Sequence, residues 1–533
     1  MSNQEYYNPQ STGVPPQPYN QGYGQPPPNV AGYNPNQSKP YAQNYQQPQP
    51  VQGEKAPPDY ERFKPRKRVQ DVAVLVLFLA TFIGFVVISA LALRSWIKQG
   101  GLGGGVGGSA TGTSVTLDSH TAYLLLLATG VAFVFSIIYL MLVRTFTSVI
   151  MKATLILSVI LNIALAAYMW VTKYYSGAII FTVVAVISVL CFWGYWSRIP
   201  LATLLLQVVM DVANHHKGVY VVGVLGLIAQ AALSVWYVFT VTATYAKWTP
   251  GNPSCNTLGG STNGIVTGAT RCGSGTVAGL VFFETFAFLW TSQVVANVCL
   301  ATVAGGPFGS WYYFGPRQDG NMPAHPTRSA FVRASTLSLG SIAFGSLIVT
   351  VLELIRLLLN AAQNNSSDDP ITAILACCAS CLIGCIEGMV QYFNRYAYIE
   401  IALYGKPYIA AARDTWNLFQ DRGIDALVND SLVGLTLSFG GYIVGILSAL
   451  FSYVYLRTTA PSYNGDGQYT APIILFAFLV GFTCMATLAS TIEAGVSTIF
   501  VGLGEDPQIL AQRAPALFGA IAARYPRVVQ GVV

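Results

Sequence analysis

Polar residues fill positions 1–61, and from Val72 onward the chain turns into long apolar runs separated by short polar breaks. The runs cover 72–93, 122–143, 151–171, 177–196, 219–244, 277–303, 331–359, 371–393, 431–456 and 471–500. Each is near the ~20 residues that an α-helix needs to cross the hydrocarbon core of a bilayer. They are continuously apolar rather than alternating, which argues against a membrane β-barrel. The pattern predicts an all-α polytopic membrane protein with about ten transmembrane helices. The last run carries Glu493 and Gly495, so it is expected to tilt or end early. Residues 199–213 are apolar but too short to span, which predicts an interfacial or buried helix. Gly305-Gly306-Pro307, Gly340, Gly345, Gly440-Gly441 and Gly445 are expected to let helices pack closely, and the glycine pairs to let them bend.

The first 61 residues are rich in Pro, Gln, Asn, Tyr and Gly and nearly free of aliphatic side chains. Such a segment cannot bury enough surface to offset its ordering entropy, so it is expected to be disordered with polyproline II character. A basic cluster follows within 62–71, then a membrane domain over 72–503 and a C-terminal tail over 504–533. No secretory signal peptide opens the chain, and the run from Val72 is expected to act as a signal-anchor. Pro57, Pro58 and Tyr60 form a PPxY sequence, which suits the aromatic groove of a WW domain. A WW-containing ubiquitin ligase is the partner this motif predicts.

Composition strengthens the membrane reading. Of 533 residues, 53% are hydrophobic and 9% charged, against roughly 25% charged in soluble domains. Placing the N-terminus in the cytosol puts Lys and Arg on the inside of the bilayer by about three to one, so both termini are expected there. The sequons at Asn364 and Asn365 then fall outside, as candidate glycosylation sites. Cys255 and Cys272 also fall in an outside loop, facing an oxidising compartment, and are expected to form a disulfide. Cys377, Cys378, Cys381 and Cys385 have metal-like spacing but no acidic or His partner, and read as small polarizable packing residues.

No catalytic motif emerges, and no cofactor is implied. A phosphate loop with its Lys and Ser/Thr is missing, which excludes the usual signature of an ATP-driven pump. The Gly-rich stretch 100–108 reads as a linker, and His215-His216 lacks zinc-site spacing. Basic residues are scattered between apolar spans rather than massed on one face, which argues against nucleic acid as a partner. Acidic residues at membrane depth carry more information: Glu284, Glu353, Glu387 and Glu493 each interrupt an apolar run. A carboxylate there costs ~2.5–3.5 kcal/mol on insertion scales and marks a pathway or a paired site. Glu353 precedes Arg356 by three residues, which permits a same-face pair. Glu387 lies near the inner end of its run, within reach of the interface. Glu284 lies near the outer end of its run among Phe283, Phe286, Phe288 and Trp290, with Gln293 deeper. An acid among aromatic faces is what an organic cation needs. Glu284, Trp290, Gln293, Glu353 and Glu387 are therefore the candidate substrate-binding residues.

The segment FNRYAYIEIALYGKPYIAAARD (393–414) resembles the signature of the choline transporter-like family. Glu387, Asn394, Arg395, Ala397, Tyr398, Ile401, Ala402, Tyr404 and Gly405 match its pattern. A second block, ATVAGGPFGSWYYF (301–314) followed by LSLGSIAFGSLIVTVLELIR (337–356), also fits, and Glu284 and Gln293 fall where the family has an acidic residue and a glutamine. The resemblance covers roughly residues 65–520. Residues 94–121 are short, Gly-rich and Cys-free where animal members carry a large glycosylated, Cys-rich loop, which with the tail resembles the fungal branch.

The resemblance implies ten membrane helices with cytosolic termini and plasma-membrane transport of choline or a related organic cation. Facilitated diffusion or exchange is expected, given the missing nucleotide site. The competing expectation is a non-transporting scaffold or lipid-handling protein acting through its tail. The signature sits toward the cytosolic side, where it reads as a gate or a latch.

Overall fold

The structure, a computed structural model, describes residues 68–98, 119–196, 198–249, 274–315, 323–365, 370–422, 425–459 and 470–524. The chain divides into Met1–Arg62 and Phe63–Val533, and the described residues belong to the second unit. The PPxY sequence, Cys255 and Cys272 lie outside the described residues, as do the side chains of Asn364 and Asn365.

Among the described residues the regular elements are all helices. They are α1 Val72–Lys98, α2 Ser119–Thr145, α3 Thr147–Val171, α4 Tyr175–Trp196, α5 Ile199–His215, α6 Gly218–Trp248, α7 Ser274–Val303, α8 Gly309–Phe314, α9 Pro326–Ser335, α10 Leu339–Asn365, α11 Pro370–Tyr404, α12 Tyr408–Arg422, α13 Asp425–Thr459, α14 Thr470–Glu505, α15 Pro507–Arg513 and α16 Pro515–Arg524. Nine helices among the described residues are long and apolar enough to cross a membrane. The remaining expected span is helical too, as part of the 35-residue α11. Toward its C-terminal end this helix carries Glu387, Gln391, Asn394 and Arg395, and the last three line a polar cavity described below.

Three boundaries differ from the apolar pattern. The run expected to end at residue 303 continues through one π-helical turn, Ala304–Phe308, into α8. Gly305 and Gly306 sit in that turn against the backbones of Ala402 and Pro326, and Pro307 lies within it. The run expected to start at 331 is split by a break at 336–338, so the span begins at Leu339. At the break, Arg333 Nη2 donates to Gly305 O at 2.9 Å, and its carbonyl accepts from Ser338 N at 3.0 Å where α9 ends. Burial lowers the Arg333 pKa from its ordinary value. Finally, α14 runs unbroken past Glu493 and Gly495 to Glu505.

The outer surface is apolar. Leu126, Val171, Leu190 and Trp193 are each more than two-thirds exposed, as side chains in contact with lipid would be. The interior is close-packed around α14, which crosses α13 where Gly481 meets Gly445 Cα. A Cβ on Gly481 would lie 2.9 Å from that atom, so the crossing depends on both glycines. Helix α5 is buried along most of its length, with Leu205, Leu206, Val209 and Met210 nearly inaccessible, so of its two expected fates, interfacial or buried, it takes the buried one. At the C-terminal end, Ile509, Leu510, Leu517 and Ile521 of α15 and α16 are buried.

Candidate functional site: a polar cavity along α11

Helix α11 presents a stripe of polar side chains at Glu387, Gln391, Asn394, Arg395 and Tyr398. The spacing of three and four residues keeps them on one face. That face meets α7, α10 and α14. Between them is a cavity of about 210 Å³ whose polar wall is formed by Gln293, Asn297, Gln391, Asn394, Arg395 and Ser490. A single water needs only ~10–15 Å³ by this measure, so the space admits a small solute with its hydration. A second space of about 360 Å³ adjoins it toward α6 and shares Ala296, Cys299, Ser490 and Thr491 as walls.

Two carboxylates stand behind the amides at one end. Glu387 Oε1 accepts from Gln391 Nε2 at 3.0 Å, and its Oε2 pairs with Arg356 Nη1 at 3.1 Å. Arg356 therefore bridges to the neighbouring helix rather than closing the same-face pair with Glu353 that its spacing permits. Glu353 instead lies beside the Gln293 amide, and its Oε2 is buried with no hydrogen-bond partner. The Arg356 side chain is 48% exposed. A guanidinium at membrane depth is tolerated next to water rather than lipid tails.

At the other end the signature residues build the floor. Asn394 Nδ2 donates to Gly345 O at 3.1 Å, and Asn394 Oδ1 accepts from Tyr408 Oη at 2.6 Å. Burial pushes the Tyr408 pKa up to about 12, so its hydroxyl stays a donor at neutral pH. Tyr398 lines the cavity and lies 3.4 Å from Ser346 Oγ, which also accepts from Asn297 Nδ2 at 3.0 Å. Gly345 makes room for both rings: a Cβ there would sit 2.5 Å from Tyr398 Oη and 2.6 Å from Tyr408 Cε2. Arg395 forms an ion pair with Glu493 of α14. Below it, Tyr404 Oη meets Tyr313 Oη at 2.5 Å, and α11 ends at Gly405 with φ 66°, a left-handed conformation that glycine adopts freely. The signature thus both lines the cavity and ties α10, α11, α12 and α14 together.

Of the candidate substrate-binding residues, Gln293, Glu353 and Glu387 come together here. Glu284 and Trp290 do not. Nine residues, two and a half helical turns, put Glu284 on the opposite face of α7 from Gln293 and ~13.5 Å along it. Its Oε1 accepts from Thr244 Oγ1 at 2.5 Å, while its Oε2 is buried without a partner. Trp290 is fully buried, donates through Nε1 to Ala343 O at 2.9 Å, and packs edge-on against Phe78. It is a helix-packing residue. Cys378, Cys381 and Cys385 are exposed along α11, away from the close-packed interior. Sequence reading missed Asn297, Gln391 and Ser490. The signal was the polar spacing itself: Gln293 and Asn297 are four apart, and Gln391 precedes Asn394 and Tyr398 by three and seven.

A polytopic helical membrane protein with a polar, solute-sized cavity inside its helix bundle has the architecture of a membrane transporter. The chain belongs to the plasma-membrane choline transporter family, whose profile matches residues 179–508. Fungal relatives cover nearly all of it. Protein PNS1 of Cryptococcus neoformans var. neoformans serotype D (strain JEC21) is 54% identical over 523 residues, spanning 96% of this chain and 92% of the relative. Protein PNS1 of Mycosarcoma maydis is 43% identical over 476 residues, with 89% and 86% covered. Protein PNS1 of Gibberella zeae is 40% identical over 477 residues, with 88% and 85% covered.

Proposed function

We propose that this chain moves choline or a related small organic cation across the plasma membrane through the cavity between α7, α10, α11 and α14. The observation that carries this reading is Glu353. Its neighbour Arg356 is engaged by Glu387, Arg395 is engaged by Glu493, and one Glu353 oxygen is left buried without a hydrogen-bond partner behind the Gln293 amide. A carboxylate held in that way is stabilised by a cation entering the cavity, whereas an anion would meet repulsion. The amides and hydroxyls of Gln293, Asn297 and Ser490 match a ligand that also carries a hydroxyl. In this reading transport is by facilitated diffusion or exchange, with both termini in the cytosol, which the excess of Lys and Arg on that side supports.

The test is uptake of labelled choline into proteoliposomes containing the full chain, with competition by unlabelled organic cations and by neutral alcohols of similar size. The expected result is uptake above protein-free vesicles, displaced by the cations and not by the alcohols. No uptake of any small cation tested would contradict the proposal.

A further inference from the structure

The chain enters α1 through a short clasp. Gln70 and Asp71, the two residues before Val72, reach both the break between α9 and α10 and the turn between α11 and α12. Gln70 N donates to Leu337 O at 3.1 Å, and Gln70 Nε2 donates to Gly405 O at 3.3 Å. Asp71 Oδ2 accepts from Ser341 Oγ of α10 at 2.6 Å and from Tyr408 N, the first amide of α12, at 2.8 Å. Its backbone oxygen accepts from Val74 N and Leu75 N at 3.1 Å each and so starts α1.

One residue thus serves the starts of three helices. The first amides of a helix have no partner within it, and Pro407, which precedes α12, has no side-chain oxygen to offer them. Asp71 supplies that oxygen from 337 residues away in the chain, and its negative charge suits the positive ends of α10 and α12. Asp71 has φ 48°, a left-handed conformation that costs an L residue energy and persists where the surroundings impose it. Gly340 makes the seat: a Cβ there would lie 2.4 Å from Gln70 O and 2.7 Å from Asp71 O.

The clasp is joined to the cavity. Tyr408, held by its amide to Asp71, donates through Oη to Asn394, and Asn394 is a wall of the cavity. Gly345, whose carbonyl accepts from Asn394, follows Ser341 by one turn of α10. Both partners of Asn394 therefore belong to helices whose starts Asp71 holds. We propose that Asp71 is a positioning residue for the cavity, fixing α10 and α12 so that Asn394 is presented to the solute. The inference rests on the reading of that cavity as the solute site.

The experiment uses the full chain in nanodiscs and in proteoliposomes, wild type against Asp71→Gly, Asp71→Asn and Gly340→Ala. Glycine adopts the left-handed conformation freely, so Asp71→Gly removes the carboxylate without adding backbone strain. Asparagine keeps an oxygen with two lone pairs in the same place and also tolerates that conformation. Gly340→Ala leaves Asp71 intact and displaces the clasp sterically. Amide hydrogen exchange is read over residues 406–414 and 391–398, and labelled-choline uptake gives KM and kcat. Asp71→Gly and Gly340→Ala are expected to speed exchange in both segments and to raise KM by roughly fivefold or more, with kcat within about twofold of wild type. Asp71→Asn is expected to stay near wild type in both readouts. Unchanged exchange in Asp71→Gly would overturn the proposal. So would a lowered thermal midpoint with KM unchanged, since the clasp would then only stabilise the fold, and so would Asp71→Asn as impaired as Asp71→Gly. A wild type that moves no choline contradicts the reading of the cavity; exchange in the three variants then upholds or overturns the clasp by itself.

Discussion

Arg395 of α11 and Glu493 of α14 form an ion pair at the edge of the cavity, and Arg395 is at once a wall of that cavity and a residue of the family signature. The pair is partly exposed, with side-chain exposures of 24% and 18%. Its loss is therefore less costly than the ~3–5 kcal/mol of a fully buried pair broken on one side. Arg395→Ala and Glu493→Ala are each expected to destabilise by ~1–3 kcal/mol, and the double variant by less than the sum of the two. A thermal-denaturation double-mutant cycle in detergent measures this. Strict additivity would show that the two side chains do not interact.

The Tyr408–Asn394 hydrogen bond holds α12 against the cavity floor. Tyr408→Phe keeps the ring and leaves Asn394 Oδ1 without that donor in a buried site, at an expected cost of ~1–3 kcal/mol. Asn394→Ala is expected to cost more, because it also strands Gly345 O and opens space. Thermal midpoints of the two variants against wild type check the order, and a Tyr408→Phe protein as stable as wild type would contradict it.

Gly345 is the packing counterpart of that arrangement. An added methyl would overlap both Tyr398 and Tyr408, so neither ring can keep its position. Gly345→Ala is expected to lower stability by ~1–3 kcal/mol through overpacking and to reduce transport with it. Gly388 meets nothing within 4 Å and is the control, with Gly388→Ala expected to be close to neutral. Size-exclusion profiles and thermal midpoints separate the two.

Much of this architecture was legible from residue order because lipid imposes one dominant rule. A segment that leaves its backbone unsatisfied cannot cross hydrocarbon, so long apolar runs become helices. The rule is blind where a run faces protein instead. A polar stripe can sit on α11 because that face meets protein, and the expected 331–359 span is shortened where α9 ends, beside the Arg333 bond to a carbonyl 28 residues away. The site was half legible. Acidic residues at membrane depth pointed to Glu353 and Glu387, but local spacing paired Arg356 with Glu353, and only the packing of α10 on α11 reassigns it to Glu387. Glu284 was drawn into the same site by its aromatic neighbours. Counting turns along α7 places it on the other face, a step open to sequence reading alone.

The most direct measurement of the central claim is the initial rate of labelled-choline uptake into proteoliposomes by wild type, Glu353→Gln and Glu284→Gln, at matched protein incorporation. Removing the buried carboxylate behind the Gln293 wall of the cavity is expected to reduce uptake by roughly tenfold or more, which corresponds to ~1.4 kcal/mol of lost cation stabilisation. Glu284→Gln, remote from the cavity and still able to accept from Thr244, is expected to stay within about twofold of wild type. Equal rates for wild type and Glu353→Gln, or a loss confined to Glu284→Gln, would contradict the account.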